Sequence, residues 1–349
     1  MNATQHMLPA QTSHDTLPAP LQSSLLGILD AVKIIGLSQF QIGNRPVATL
    51  PPIAATATAR PVTALLSEAL WPALYDAAYA RPFHLDPPGP LPAPVDLDLL
   101  SQLRTLFPEG SRWSTQWQVY KTDSNGSVHV RKGECCRHVF PGAFTLAYQG
   151  PVQANSMVSV LLPLASSQLQ SGFYHITGHA PHSDHDDAAL ARLYLNTRAA
   201  TVAPLMAQIA GLLNNYAMPF RAKTLLEPAA YDRTDSTVFY LARRHLPFAL
   251  SLLRDFFNDA APDLEPDVPL FSKSLVGGIG GADDPGFGMS FGQVRAMLMA
   301  DAIVSAWAAG TQNAQTRLEH LKHRFCESGL SLSTPHLSAG NNDIYAVLA

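Results

Sequence analysis

The spacing of the apolar residues changes near Trp113, and this change limits the folds that are open to the chain. Before it, apolar residues recur every three or four positions over 21–37 and 62–79, which predicts helices with one buried face. After it, short segments rich in β-branched and aromatic residues alternate with turn residues, which predicts strands. The turn Asp123-Ser124-Asn125-Gly126 predicts a hairpin between two of them.

The second half of the chain adds helices to these strands. An apolar stripe predicts a helix over 200–214, and strands at 192–195 and 237–241 are placed to pair in one sheet. Two last helices, over 291–309 and 314–328, end at glycines, which favour helix C-termini. This order predicts an α+β fold, with a mixed or antiparallel sheet flanked by helices and preceded by an N-terminal helical region.

The chain divides into three predicted parts. Residues 1–20 are polar and contain prolines without a period, which predicts a flexible tail. Residues 21–110 form a helical N-terminal region with proline-rich linkers at 45–61 and 81–94. Residues 111–349 form the α+β domain, in which we expect the chemistry to take place.

Composition argues against several classes of protein. With 349 residues, 47% of them hydrophobic, the chain is long enough to bury a large core. The net charge of −4 and the scattered basic residues argue against nucleic-acid binding, which needs clustered Lys and Arg. Three cysteines give neither a disulfide framework nor zinc-ligand spacing. The longest apolar run is shorter than a membrane span, so we expect a cytoplasmic protein that binds no membrane.

Lysine is scarce, and one lysine follows an apolar segment. The chain has six lysines, and Lys223 lies shortly after Met218-Pro219-Phe220. Burial beside arginines lowers the pKa of an amine toward the range in which it acts as a general base. Taken alone, however, Lys223 also fits an ordinary surface charge.

A capping-box pattern predicts a second binding feature. Ser290 and Gln293 have the spacing that starts a helix, and we expect its free N–H groups to face the glycine-rich segment 277–281 and bind an anion. Lys273 and Arg295 flank this helix start in the sequence, and we expect them to line a second side of a site for phosphate or peptide. A helix start that packs on a glycine loop without any ligand explains the pattern equally well.

A run of histidines and aspartates gives a rival hypothesis, because imidazoles and carboxylates bind metals. Its members are His175, His179, His182, Asp184, His185, Asp186 and Asp187. They make a metal-dependent hydrolase the rival class of enzyme. Their spacing matches no motif that brings ligands together on a helix, and the segment is rich in Ser, Pro and Asp, which favours a solvated loop. We therefore expect no metal.

Three segments carry a family resemblance: Ser171-Gly172-Phe173-Tyr174, then Pro228–Ser236 with Tyr240, and Ser290–Arg295. In order and spacing they resemble the HopA-type family of type III secretion effectors and its relatives, the LanY-like components of class V lanthipeptide synthetases. The resemblance extends over about residues 110–330. It implies that 111–349 is a phosphopeptide lyase domain, which acts in the bacterial cytoplasm without a cofactor.

The stretch from Arg192 to Tyr240 is more distantly similar to the catalytic centre of phosphothreonine lyase effectors. There, a strand with a basic residue, an apolar residue and a general-acid His precedes a helix; a general-base Lys, a phosphate-binding Arg and a strand ending in Tyr follow. The corresponding residues here are Arg192-Leu193-Tyr194, Lys223, Arg233 and Tyr240. Two positions depart from that pattern, since Tyr194 stands in place of the His and Ala242 in place of a lysine.

The resemblance implies a role for each of these residues. β-Elimination needs a base for the Cα proton, for which Lys223 is the candidate, and groups that stabilise the departing phosphate. Tyr194, by position, and His175, by its ordinary pKa of about 6.5, are both candidates for the acid. The candidates for binding phosphate and substrate are Arg192, Arg233, Asp235, Tyr240, Lys273, Ser290 and Arg295.

The implied reaction also names partners. The substrate is a phosphorylated precursor peptide supplied by a partner Ser/Thr kinase, and a cyclase acts on the dehydrated product. The alternative is a non-catalytic module that binds a peptide or protein and keeps the family fold. The metal-dependent hydrolase is the less favoured enzyme.

Overall fold

A computed structural model describes residues 16–50, 61–89 and 97–345, apart from 109, 133–134, 147, 149, 181–182, 184–185, 187, 261–262 and 287. Most of the predicted flexible tail and parts of both proline-rich linkers therefore lie outside the described residues.

Seven α-helices lie in the described part of the chain. They are α1 Ala19–Ala31, α2 Val62–Leu74, α3 Leu99–Leu106, α4 Val202–Asn215, α5 Leu246–Ala260, α6 Phe291–Ala308 and α7 Ala314–Glu327. A π-helix, Tyr75–Tyr79, continues α2. The helices predicted over 200–214, 291–309 and 314–328 are confirmed by α4, α6 and α7. None of the described helices is long and apolar enough to cross a membrane.

The strands form three sheets, and every pairing between strands is antiparallel. The first sheet contains β1 Val32–Gly36, β2 Gln39–Ile42 and β3 Ala48–Thr49. The second has the order β6-β5-β4-β8-β7, and its strands are β4 Ser111–Thr122, β5 Val128–Lys132, β6 Cys135–Val139, β7 Phe144–Leu146 and β8 Met157–Pro163.

The third sheet has seven strands in the order β14-β15-β11-β13-β12-β10-β9. Their bounds are β9 Ala165–Ser166, β10 Phe173–Thr177, β11 Leu190–Leu195, β12 Phe220–Leu225, β13 Thr237–Ala242, β14 Lys273–Val276 and β15 Ile279–Asp283. The predicted pairing of the strands at 192–195 and 237–241 is confirmed by β11 and β13. With its antiparallel sheets and flanking helices, the chain has the predicted α+β fold.

The N-terminal region differs from its predicted pattern at one point. The helix predicted over 21–37 ends at Ala31, and β1 follows directly. In this strand Val32 and Ile34 are buried while Lys33 is exposed, so the local period is two. The β-branched side chains of the segment favour a strand over a further helical turn.

Two hydrophobic cores meet the seven-stranded sheet from opposite sides. One face packs on α4 and α5 through Ile176, Ala222 and Phe239. The other face meets a core that α1, α2 and the π-helix share with α6 and α7. The five-stranded sheet has a separate small core around Trp117 and Val130. The prediction of three separate parts is not tested by this packing and stays a prediction.

One helix contact near the sheet can be tested by a single methyl group. A Cβ at Gly292 in α6 would overlap the ring of Tyr79, which is buried. We expect Gly292→Ala to lower the free energy of unfolding by about 1–3 kcal/mol. Gly211→Ala, where a Cβ on α4 meets nothing within 4 Å, should instead raise it by about 0.5–1 kcal/mol. Urea unfolding measures both, and an unchanged midpoint for Gly292→Ala would contradict this packing.

Candidate functional site

The seven-stranded sheet carries two rows of cross-strand neighbours on the face opposite α4 and α5. The first row is His175, Lys223, Val238 and Tyr194. The second row is Thr177, Arg221, Tyr240 and Arg192. Because residues two apart on a strand share a face, both rows lie on the same side of the sheet.

A cleft of about 480 Å³ opens over these rows. Its floor includes His175, Arg192, Arg221, Lys223 and Tyr240. One wall comes from Asp284, Gly286, Gly288 and Met289, and another comes from Arg137 on β6 of the five-stranded sheet. Among the described lining residues, four carry a formal positive charge and Asp284 is the one carboxylate, so the cleft attracts anions.

Lys223 is half-buried in this cleft. Its Nζ donates a hydrogen bond to Gln170 Oε1 at 3.1 Å and lies 4.5 Å from the centre of the Phe173 ring. Burial lowers the pKa of Lys223 to about 8, and the charges of Arg192 and Arg233 act in the same direction. At pH 7, about a tenth of these amines are therefore neutral and able to take a proton.

Arg192 is buried and already holds a partner. Its Nε donates to Asp284 Oδ2 at 2.7 Å, and its Nη2 donates to the carbonyl of Met289 at 2.9 Å. The guanidinium group lies 5.2 Å from the centre of the Tyr240 ring. These contacts hold Asp284 and Met289 against the sheet and place a charge at the bottom of the cleft.

Arg233 forms a three-residue cluster with Asp235 and Tyr75. Two of its nitrogens donate to the two oxygens of Asp235, at 2.9 and 3.0 Å. The Tyr75 hydroxyl donates to Asp235 Oδ2 at 2.9 Å and accepts a hydrogen bond from Arg233 at 3.3 Å. Asp235 therefore orients Arg233, as the sequence predicts, and a tyrosine of the N-terminal region holds both.

The two candidates for the acid have different surroundings. Tyr194 is fully buried against Phe291 and Tyr79, and burial raises its pKa to about 12. His175 lies directly across from Lys223, and burial together with the charges of Lys223 and Arg137 lowers its pKa to about 4. At pH 7 the His175 ring is therefore neutral and a weak proton donor, while Tyr194 is not among the described lining residues of the cleft.

Ser290 lies beside the Tyr75 hydroxyl and so borders the Arg233 cluster. It is the N-cap of α6, and its Oγ accepts a hydrogen bond from the Gln293 N–H at 3.4 Å. The predicted helix start is confirmed. That the glycine-rich segment 277–281 faces this helix start stays a prediction; a Cβ at Gly278, Gly280 or Gly281 would meet Glu265, Ser272 or Tyr345, which do not belong to α6.

Arg233, Asp235 and Ser290 are not among the described lining residues of the cleft, and neither are Lys273 and Arg295. Lys273 on β14 is the cross-strand neighbour of Gly281 on β15, and Gly281 is the neighbour of Leu193 on β11. Cross-strand neighbours share a face, so Lys273 lies on the face of the sheet opposite Lys223. Its Nζ binds Asp343 at 2.7 Å. Arg295 is buried between Phe291 and Phe325 and donates to the carbonyls of Pro335 and Leu337, both at 2.9 Å. Both residues hold the C-terminal segment in place.

Sequence reasoning did not select several residues that form the site. Arg221 stands two positions before Lys223 in a strand, and this spacing alone puts the two on one face. Asp284 and Arg137 gave no local signal of their roles. Tyr75 lies 158 positions from Arg233, and only the tertiary fold brings them together.

The predicted histidine and aspartate run does not gather into a metal site among its described members. His175 lies in the cleft, and Asp186 forms an ion pair with Arg244 at 2.7 Å. His182, Asp184, His185 and Asp187 lie outside the described residues. The group with metal-ligand proximity in the described structure is a different one, formed by Asp123, His129 and His138 at the β4–β5 turn.

The fold and the site define an antiparallel α+β protein with a cationic cleft on one face of its largest sheet. Residues 164–337, about half of the chain, match the model of the HopA1 effector protein family, and this part of the chain belongs to that family. The predicted HopA-type resemblance is thus confirmed. The matched region begins directly after the five-stranded sheet.

Two solved structures are similar to the chain. They are effector proteins from Pseudomonas syringae pv. tomato strain DC3000 and from Pseudomonas syringae pv. syringae strain 61. Each is 20% identical, with a TM-score of 0.37, and each comparison covers 48% of this chain. The chain spans 63% of the length of each effector structure. None of the individually curated proteins matches the sequence.

Proposed function

We propose that this protein is a cytoplasmic lyase that removes phosphate from phosphoserine or phosphothreonine in a ribosomally made precursor peptide. The products are dehydroalanine or dehydrobutyrine and inorganic phosphate. A partner Ser/Thr kinase supplies the phosphorylated peptide, and a cyclase uses the dehydrated one. The observation that supports this proposal most is a half-buried lysine with a pKa of about 8 in a cation-rich cleft.

The reaction needs a general base that takes the Cα proton and cationic groups that bind the leaving phosphate. Neutral Lys223 takes the Cα proton, the C–H electrons form the Cα–Cβ double bond, and the Cβ–O bond breaks to release phosphate. The electrons of the Cβ–O bond stay on the phosphate oxygen, which takes up one proton from water so that the group leaves as hydrogen phosphate, and the basic groups of the cleft stabilise the charge that develops on it. Tyr240 lines the same cleft, and burial raises its pKa, so its hydroxyl keeps its proton and can donate a hydrogen bond to the leaving oxygen.

Mass spectrometry of a phosphorylated peptide separates the proposed reaction from its alternatives. A lyase converts the peptide into one lighter by a phosphoric acid, with a double bond that adds thiols. A metal-dependent hydrolase leaves the hydroxyl of Ser or Thr instead. A non-catalytic module binds the peptide and leaves its mass unchanged. An unchanged peptide mass, both with and without the kinase, would refute the proposal.

The pH dependence of the rate follows from the lowered pKa of Lys223. Below a pH of about 8 most of the amine is protonated in the folded protein, and only the neutral fraction can act as the base. We expect kcat/KM to rise about tenfold per pH unit between pH 6.5 and 7.5 and to level off above about 8. Initial rates at constant ionic strength measure this profile. A flat profile, or a midpoint near the ordinary lysine pKa of about 10.4, would contradict Lys223 as the base.

A further inference from the structure

A second, smaller cavity lies where the five-stranded sheet meets the seven-stranded sheet. Its volume is about 40 Å³, which is room for about three water-sized groups and so for the oxygens of one tetrahedral anion. Basic side chains from four strands line it: Arg112 on β4, Lys132 on β5, Arg137 on β6 and Arg221 on β12. No carboxylate occurs among its described lining residues.

Two of these side chains form hydrogen bonds with backbone carbonyls, which do not neutralise their positive charge. Arg112 Nη1 donates to the carbonyls of Gly178, at 2.8 Å, and His179, at 2.5 Å. Lys132 is buried, and its Nζ donates to the carbonyl of Thr115 at 3.1 Å. Carbonyl oxygens orient a cation but carry no formal charge to cancel it. Burial lowers the pKa of Arg112, the direction expected for a cation that is held away from water.

This cavity adjoins the cleft that holds Lys223. Arg137, Leu169, Thr177 and Arg221 line both spaces. Arg221 and Lys223 are two positions apart on β12, so their Cα atoms are about 7 Å apart. A group bound beyond Arg221 therefore lies on the order of 10 Å from the amine, which is about three residues of an extended peptide.

We infer that this cavity is a second anion subsite, which binds the phosphate of another phosphoserine or phosphothreonine two to four residues from the reacting one. A dianion needs more than one cation, and the cavity supplies guanidinium groups beside a lysine amine. The inference rests on the proposed function, because it assigns a property to the peptide in that cleft. The five-stranded sheet, which precedes the matched family region, then helps to select the substrate.

Equilibrium binding of labelled peptides tests the subsite without requiring turnover. We compare three peptides with one reacting phosphoserine: their residue three positions away is serine, glutamate or a second phosphoserine. Fluorescence anisotropy at pH 6, where Lys223 is protonated, gives the three Kd values for the full-length protein. We expect the doubly phosphorylated peptide to bind about tenfold more tightly than the singly phosphorylated one, with glutamate in between.

Variants assign this preference to the cavity. Lys132→Met removes the buried charge and should abolish the tenfold preference while changing the Kd of the singly phosphorylated peptide by less than about twofold. Arg131→Gln is the matched control, because Arg131 is exposed next to it on β5 and binds only the Gln118 side chain among its recorded contacts. If Lys132→Met does not fold, Ser114→Asp places a negative charge in the same cavity and should reverse the preference.

The outcomes keep the two proposals distinct. Equal Kd values for all three peptides in the wild type, or an equal loss for every peptide in Lys132→Met, would overturn the subsite. A clear preference together with unchanged peptide mass would retain the subsite and overturn the lyase. Conversely, elimination without any preference would retain the lyase alone.

Discussion

Lys223→Met should reduce the rate of elimination by about 10²- to 10⁴-fold, the usual contribution of a general base. Methionine keeps an unbranched side chain that can pack on Phe173 in the half-buried position, but it cannot accept a proton. Quenched-flow or discontinuous mass spectrometry with saturating phosphopeptide measures the loss in kcat. Because the defect lies in the base, binding of the phosphopeptide should weaken far less than turnover.

The thermal stability of Lys223→Met shows whether a loss of activity comes from unfolding. The pKa of Lys223 is about 8 in the folded protein and higher in the unfolded chain, so the folded state disfavours the charged amine. The unfolded state binds more protons between about pH 8 and 10.4, and the stability of the wild type should therefore rise across that interval. At pH 7 Lys223→Met should unfold at the same temperature as the wild type or higher.

Two further lysine variants complete the test. Lys223→Arg keeps the positive charge but stays protonated, so it should bind the phosphopeptide and fail to eliminate phosphate. Lys322→Met, at an exposed lysine that pairs with Glu319 on α7, should eliminate at the native rate. If Lys223→Arg turned over like the wild type, a different residue would have to remove the Cα proton.

The sequence predicted those parts of the fold that depend on local pattern. The stripes of α4, α6 and α7 and the strands β11 and β13 follow from the period of their apolar residues, and the structure confirms them. The helix predicted over 21–37 was wrong for 32–36, because three β-branched residues in this segment favour a strand. Local pattern also predicted the turn between β4 and β5, which is confirmed by their antiparallel pairing.

The site was predictable only where a short stretch of the sequence carries the family resemblance. Lys223 and Arg233 lie in a short stretch that the family resemblance covers. In the structure, the charge of Arg233 helps to lower the pKa of Lys223. The face on which Lys273 lies depends on the register of β14 against β15, which is shifted between Ser274 and Val276 and leaves no mark in the sequence. The contact of Tyr75 with Asp235 depends on how α2 and the π-helix pack, which no local pattern encodes.

The placement of Tyr75 connects the N-terminal region to Arg233 and Asp235. The family match begins at residue 164, yet the hydroxyl that binds Asp235 comes from the π-helix. The five-stranded sheet likewise contributes Arg137 to the cleft. Segments on the N-terminal side of the matched region therefore contribute one residue to the cleft and one to the Arg233 cluster, and an isolated 164–337 fragment would lack both groups.

Arg233→Ala should lower kcat/KM for the phosphopeptide by about 10- to 100-fold, mainly through KM. A charge-assisted hydrogen bond to a phosphate contributes about 1.5–3 kcal/mol, and each 1.4 kcal/mol or so corresponds to a tenfold change. Steady-state kinetics with the singly phosphorylated peptide measures the split between kcat and KM. Tyr75→Phe, which removes one hydroxyl from the cluster and keeps both charges, should have a smaller effect in the same direction.

The buried partner of Arg233 requires a second variant. Asp235 is nearly buried, and removing the arginine alone leaves its carboxylate without the two hydrogen bonds at 2.9 and 3.0 Å, which lowers stability. Arg233→Ala with Asp235→Ala should regain the lost stability but not the phosphopeptide affinity. Arg198→Ala is the matched control, since Arg198 donates to Glu265 at 2.7 Å at an exposed position. If the double variant recovered the native KM, Arg233 would only stabilise the fold, and phosphate capture would fall to Arg221 and Arg192.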